Sequence, residues 1–180
     1  MIPFERSYWV IPGKILAGEI PSSLNDQTRF NKLQNLLELK IDVVINLMEP
    51  DEKTFKGELL VDYIPEIIEL SKKRNQEINI TRFPIKDLQI PSIEYMKDIL
   101  YYLKKCSDEN KKVYIHCWGG VGRTGSVVGC FLQDNGYATS KNVIQMIAYL
   151  KRTTSIVNRD SPETKEQQDF VLNWLVNSKF

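Results

Sequence analysis

Two short apolar runs constrain the fold of this chain more than any other feature. Val43–Leu47 and Val113–His116 are too short for core helices and carry almost no polar alternation. A strand of that kind is buried on both faces, so it needs a layer of structure above it and another below. Helical patterns supply both layers. Phe30, Leu33, Leu36 and Leu37 recur at helical spacing and predict a helix over about residues 25–39. Residues 62–74 read as a helix ending in Lys72, Lys73 and Arg74, and Ile78–Ile85 as a strand. Ser92 can cap a helix whose stripe is Ile93, Met96, Ile99, Leu100 and Leu103. Tyr8–Ile11 and Lys14–Ala17 form a predicted hairpin turning at Pro12–Gly13. Three helices follow the second apolar run, at about 123–135, 140–152 and 162–177, the last with Ser161 as N-cap and Pro162 at the first helical position. Strands alternating with helices imply an α/β fold with a mostly parallel central sheet flanked by helices, here one domain over 1–180. Ligands of such sheets bind at the carboxyl ends of the strands.

Composition narrows the function. Twenty-four Lys and Arg against 23 Asp and Glu leave a net charge of +1, which provides no global field for duplex nucleic acid or an anionic membrane. One histidine excludes a histidine-rich metal site, and three cysteines in 180 residues do not make a disulfide framework. Met1–Arg6 contains no apolar stretch of the signal-peptide kind, and no apolar run approaches the roughly 20 residues of a membrane span. The expectation is a cytoplasmic monomer with reduced thiols, no metal and no cofactor.

The informative segment follows the second apolar run: His116-Cys117-Trp118-Gly119-Gly120-Val121-Gly122-Arg123-Thr124-Gly125. Gly119, Gly120 and Gly122 let the backbone curl so that successive N–H groups point into one concavity, an anion nest. A helix opening near Arg123 adds its positive end, and the guanidinium adds a planar fork matched to two phosphate oxygens. Trp118 and Val121 complete the loop as apolar members. Cys117 at the rim of this field is expected to be a thiolate at neutral pH, hence a nucleophile. Thr124 can donate its hydroxyl to that sulfur and stabilise it as a leaving group.

The pattern His-Cys-x5-Arg-Thr-Gly resembles the signature loop of the cysteine-based protein tyrosine and dual-specificity phosphatases. The variant Cys-Trp-Gly-Gly-Val-Gly-Arg is most similar to small dual-specificity-like phosphatases of bacteria and archaea, and the order of elements matches from about Trp9 to Trp174. The resemblance implies a dual-specificity-phosphatase-like fold and a phosphocysteine mechanism on a phosphate monoester, with Cys117 attacking phosphorus and Arg123 and the loop amides holding its oxygens. It implies a loop aspartate about 30 positions before the cysteine as general acid, which is Asp87. Glu49, Asp51 and Glu52 follow the other apolar run on the same sheet edge and stand as rival acids, or as rim or solvated carboxylates. The family often places the second-step water with a glutamine in a Gln-Thr-x-x-Gln pattern; this chain has Glu163 and Gln167 at those positions. Gln167 shares the stripe of Phe170, Val171 and Trp174, so it is either that glutamine or a rim residue bonded to a neighbouring loop. His116 is expected to orient the loop. Arg159 is read as a surface charge, with a second anion contact as the alternative, and Cys106 and Cys130 as packing residues, with a protective disulfide to Cys117 as their alternative.

Substrate choice is less legible. Trp118 and Val121 stand where phosphoinositide phosphatases of the superfamily carry lysines, and 180 residues leave little room for an added tyrosine-recognition loop. The expected partner is a phosphorylated protein, with phosphotyrosine and also phosphoserine or phosphothreonine as targets. A small phosphorylated metabolite, nucleotide or lipid headgroup is the alternative. A non-catalytic phosphate-binding module and a rhodanese-like sulfurtransferase are the rival classes.

Overall fold

The computed structural model describes residues 2–54 and 57–174. The strands are β1 (Ser7–Ile11), β2 (Ile15–Gly18), β3 (Val43–Asn46), β4 (Asn79–Arg82) and β5 (Val113–His116). They form one sheet in the order β1-β2-β5-β3-β4, antiparallel only between β1 and β2. Lys14 N–H closes the β1–β2 turn on Ile11 O at 3.0 Å, with Gly13 at φ 73°. The helices are α1 (Asp26–Glu38), α2 (Ile64–Lys73), α3 (Ile93–Asp108), α4 (Gly122–Asp134), α5 (Val143–Leu150) and α6 (Lys165–Leu172). No helix among the described residues is long and apolar enough to cross a membrane.

The strands sort their side chains by strict alternation. Ile15, Ala17, Val43, Ile45, Val113 and Ile115 face one core, which takes in α3, α4, α5 and α6. Leu16, Val44 and Tyr114 face the other, closed by Leu33, Leu36 and Leu37 of α1 and Ile67 of α2. The two-sided burial read from the apolar runs is therefore correct. The α1 stripe is narrower than its spacing implies, because Phe30 is an exposed side chain. Asn25 and Ser92 cap α1 and α3, accepting from Thr28 N–H and Tyr95 N–H.

Helix α4 departs from the amphipathic rule, since every residue from Gly122 to Gln133 is buried. Its glycines make that possible. A Cβ on Gly125 would lie 2.3 Å from Ser161 Oγ, and one on Gly129 would lie 2.6 Å from Val171 Cγ1. With Gly122 they form a face at helical spacing on which the segment 161–171 seats. That seating corrects the start of the last helix. Ser161 is not its cap, because its hydroxyl donates to Val121 O at 2.8 Å across the fold, and the Ser161–Pro162 peptide is cis. The cap is Thr164, which accepts from Gln167 N–H at 3.1 Å while the Gln167 side chain bonds back to the Thr164 backbone, a capping box. The expected end near residue 177 lies outside the described residues. The remaining elements keep their order; the helix expected at 140–152 contracts to α5 and the strand expected at 78–85 to the four-residue edge strand β4, whereas the others shift by two residues at most.

Candidate active site

Because β3, β4 and β5 are parallel, the loops leaving their carboxyl ends emerge on one edge. The loop after β3 carries Glu49 to Glu52, that after β4 carries Asp87, and that after β5 carries Cys117. The glycine loop between β5 and α4 is stitched to the chain leaving β2. Ile20 N–H donates to Trp118 O at 3.0 Å, and Gly120, at φ 70°, lies flat against Gly18. A Cβ there would come within 2.5 Å of the Gly18 carbonyl carbon. Gly120 in the left-handed region followed by Val121 in the right-handed one is the backbone alternation of an anion nest. Helix α4 begins at Gly122, so Arg123 stands in its first turn.

Arg123 is buried, with a side chain 1% exposed. Its Nη1 donates to Ile85 O at 3.0 Å and to Glu52 Oε1, and its Nη2 donates to Glu52 Oε2 at 3.0 Å. Asp87 Oδ1 lies 2.8 Å from the same Nη2. Burial lowers the guanidinium's proton affinity, but Glu52, charge at Cys117 and Asp87 more than offset it, so the pKa is raised. Asp87 is thus brought to the Arg123 guanidinium, whereas Glu49 and Asp51 are not. Glu52 is there as the fork's bidentate partner, a contact sequence reasoning passed over. The one available signal was an acidic residue just past a strand end on the right edge. Cys117 is buried at the cavity floor.

His116 is fully buried, and desolvation holds its imidazole down at a pKa of about 3, so it is neutral. Its Nε2 pairs with Tyr63 Oη at 2.7 Å, and its Nδ1 lies 3.2 Å from Cys117 O. These contacts hold the imidazole between Tyr63 and the backbone at the start of the glycine loop. Thr124 differs from expectation. The first turn of α4 buries its hydroxyl without bringing it into hydrogen-bonding geometry with the Cys117 sulfur.

Gln167 is 0% exposed and lies behind the phosphate loop. Arg159 is more than a remote surface charge. It lines the cavity above Gly119 and pairs with Glu163. Its backbone is fixed by Lys151, whose buried ammonium donates to the carbonyls of Ile156 (2.8 Å), Val157 (2.9 Å) and Arg159. A lysine at the end of an amphipathic helix carries no sequence signal for that role. Cys106 and Cys130 are buried free thiols in the core, and burial pushes both pKa values up.

The cavity has a volume of about 520 Å³. Cys117, Trp118, Gly119, Gly122 and Arg123 form its base, and Arg6, Lys53, Asp87, Leu88, Arg159 and Glu163 its walls. Among the described residues no group of three or more His, Cys, Asp and Glu could hold a metal ion. A strand-end cysteine, a glycine nest and a helix-start arginine on one mostly parallel sheet are features of the cysteine phosphatases as a class. Within that class, the chain belongs to the family described as Swiss Army Knife protein, DSP-PTPase phosphatase domain, whose profile matches residues 4–171. It is 33% identical over 96 residues to an uncharacterized protein of Methanocaldococcus jannaschii, a match covering 53% of this chain and 55% of that protein. It is 30% identical over 76 residues to a dual specificity protein phosphatase of Monkeypox virus, covering 42% and 44%. The chain thus spans about half the length of these curated relatives. In fold it is similar to a kinase-associated phosphatase whose catalytic-site cysteine is replaced by serine, with TM-score 0.73, 16% identity, and 99% and 97% of the two chains covered.

Proposed function

We propose that this chain hydrolyses phosphate monoesters on protein tyrosine, and on serine and threonine, through a phosphocysteine intermediate. The observation that carries the reading is the meeting of Cys117, Arg123 and Asp87 in one cavity. In the first step Cys117 Sγ attacks phosphorus and the bond to the leaving oxygen breaks. The Asp87 carboxyl gives its proton to that oxygen, so the alcohol leaves neutral. In the second step water attacks the phosphocysteine, its proton passes to Asp87, and the thiolate departs as phosphate is released. Loop amides and Arg123 hold the equatorial oxygens in both steps. A phosphate dianion on Arg123 takes over contacts that Glu52 and Asp87 otherwise hold, which frees the Asp87 carboxyl for the leaving oxygen.

Hydrolysis of an aryl phosphate by wild type and by Cys117→Ser tests this. Wild type is expected to release phosphate and the variant to retain substrate without turnover. No release by wild type anywhere between about pH 5 and 8 overturns the reading. A panel of phosphopeptides, nucleotides and inositol phosphates, trapped on Cys117→Ser, then ranks the substrate classes.

A further inference from the structure

The turn carrying Asp87 is held in an unfavourable conformation. Gln89 N–H closes it on Lys86 O at 3.1 Å, and Leu88 stands at φ 61°. A branched residue without glycine's freedom is disfavoured there, so the turn persists only where its surroundings determine it. Leu88 is 51% exposed, so its side chain supplies little of that. The determining contacts come from the start of α6. Gln167 Nε2 donates to Gln89 O at 3.1 Å, and Thr164 Oγ1 lies 3.5 Å from Leu88 O. The two residues that follow Asp87 are therefore both tied to the same capping box.

Gln167 also reaches the phosphate loop. A Cβ on Gly122 would lie 2.9 Å from its Oε1 and 3.2 Å from its Nε2, so the amide packs directly on the glycine that opens α4. Its Oε1 accepts from Glu163 N–H at 3.1 Å and Thr164 N–H at 3.2 Å. Two backbone donors on one side and a carbonyl on the other fix the orientation of the amide. An amide that places a water must present an atom to the cavity. This one is fully buried, lies outside the cavity lining, and has both oxygen lone pairs engaged.

We infer that Gln167 is a positioning residue for the general acid, bracing the Asp87 turn against the phosphate loop, and that it does not place the water of the second step. The inference rests on the phosphatase reading for its kinetic readout, and on the loop itself for its structural one. Gln167→Glu isolates the brace. One carboxylate oxygen still accepts from Glu163 and Thr164, whereas the other now faces Gln89 O and repels it. The variant is expected to lose on the order of tenfold in kcat/KM on an alkyl phosphate, whose leaving group needs the acid. On an aryl phosphate with a good leaving group the loss should be at least about threefold smaller, since a carboxylate packed on Gly122 weakens phosphate binding for both substrates alike, and equal losses on the two overturn the brace. Hydrogen exchange at the Gln89 amide should accelerate, and Asp87→Asn combined with Gln167→Glu should lose no more on the alkyl substrate relative to the aryl one than Asp87→Asn alone.

An unchanged kcat/KM with a lower kcat on both substrates, preceded by a burst of leaving group, is the signature of water placement and overturns the brace. Unchanged kinetics overturn it as well. Where Gln167→Glu does not fold, Gln167→Asn, which is neutral and one methylene too short to reach Gln89, is read by the same substrate pair. If wild type hydrolyses neither substrate, the phosphatase reading falls and exchange alone decides: acceleration in the variant upholds the brace and unchanged rates overturn it.

Discussion

Replacing Glu52 by glutamine measures what holds the buried Arg123 fork in place. The pair is enclosed, with side chains 1% exposed for Arg123 and 12% for Glu52, so solvent and salt screen it far less than a surface pair. Glutamine keeps the volume and one acceptor, but turns the other oxygen into an NH2 group that faces the guanidinium. The loss is one charge-assisted hydrogen bond together with the charge, about 2 kcal/mol. The larger penalty for orphaning a buried ion, about 3–5 kcal/mol, is not reached, because Asp87 and Ile85 O stay on Arg123. For a domain of this size about 2 kcal/mol lowers Tm by roughly 4–8 °C. Thermal unfolding followed by circular dichroism, with and without saturating orthophosphate, is the assay. Phosphate brings its own negative charge to the same fork, so it raises Tm more in Glu52→Gln than in wild type. In an Arg123→Met background the sign reverses, since Glu52 has then lost its partner and glutamine is the easier group to bury. A Tm within about 1 °C of the parent in both backgrounds refutes the assignment of Glu52 as the fork's counter-charge.

Two further outcomes follow from buried groups near the loop. Burial lowers the folded-state pKa of His116 from 6.5 to about 3, so between these values the unfolded chain binds a proton that the folded chain does not. Stability from this group is complete above pH 6.5 and falls toward pH 3, with a slope near 1.4 kcal/mol per pH unit; urea unfolding across that window should show the slope, and His116→Asn should remove its share. Gly120→Ala meets both a left-handed φ and backbone within 2.5 Å, and should cost at least about 3 kcal/mol. Gly13→Ala, equally left-handed but with nothing within 4 Å, should cost about 1 kcal/mol, and comparable urea midpoints for the two would refute the close-approach argument.

Much of the fold was legible because its signals are local. A doubly buried strand advertises itself by apolar content, and caps such as Ser92 act within one helical turn. The stretch from His116 to Gly125 is ten contiguous residues, so its nest, its cysteine and its arginine are legible without any tertiary contact. The last helix was misread at its start for the opposite reason. Ser161 and Pro162 are a sound local start signal, but Ser161's hydroxyl answers to Val121, forty residues away in sequence.

The sequence by itself determined that Cys117 and Arg123 share one strand–loop–helix unit, and that the sheet around it is covered by helices on both faces, since glycine placement, apolar runs and capping act between near neighbours. Only the tertiary structure decided which carboxylates meet Arg123, seating Glu52 across both its nitrogens while leaving Glu49 and Asp51 off the fork. It alone also decided that Gln167 faces the Asp87 turn and not the cavity. Partners 71 and 78 residues apart are brought together by strand order and by the glycine face of α4, and no local pattern encodes that distance.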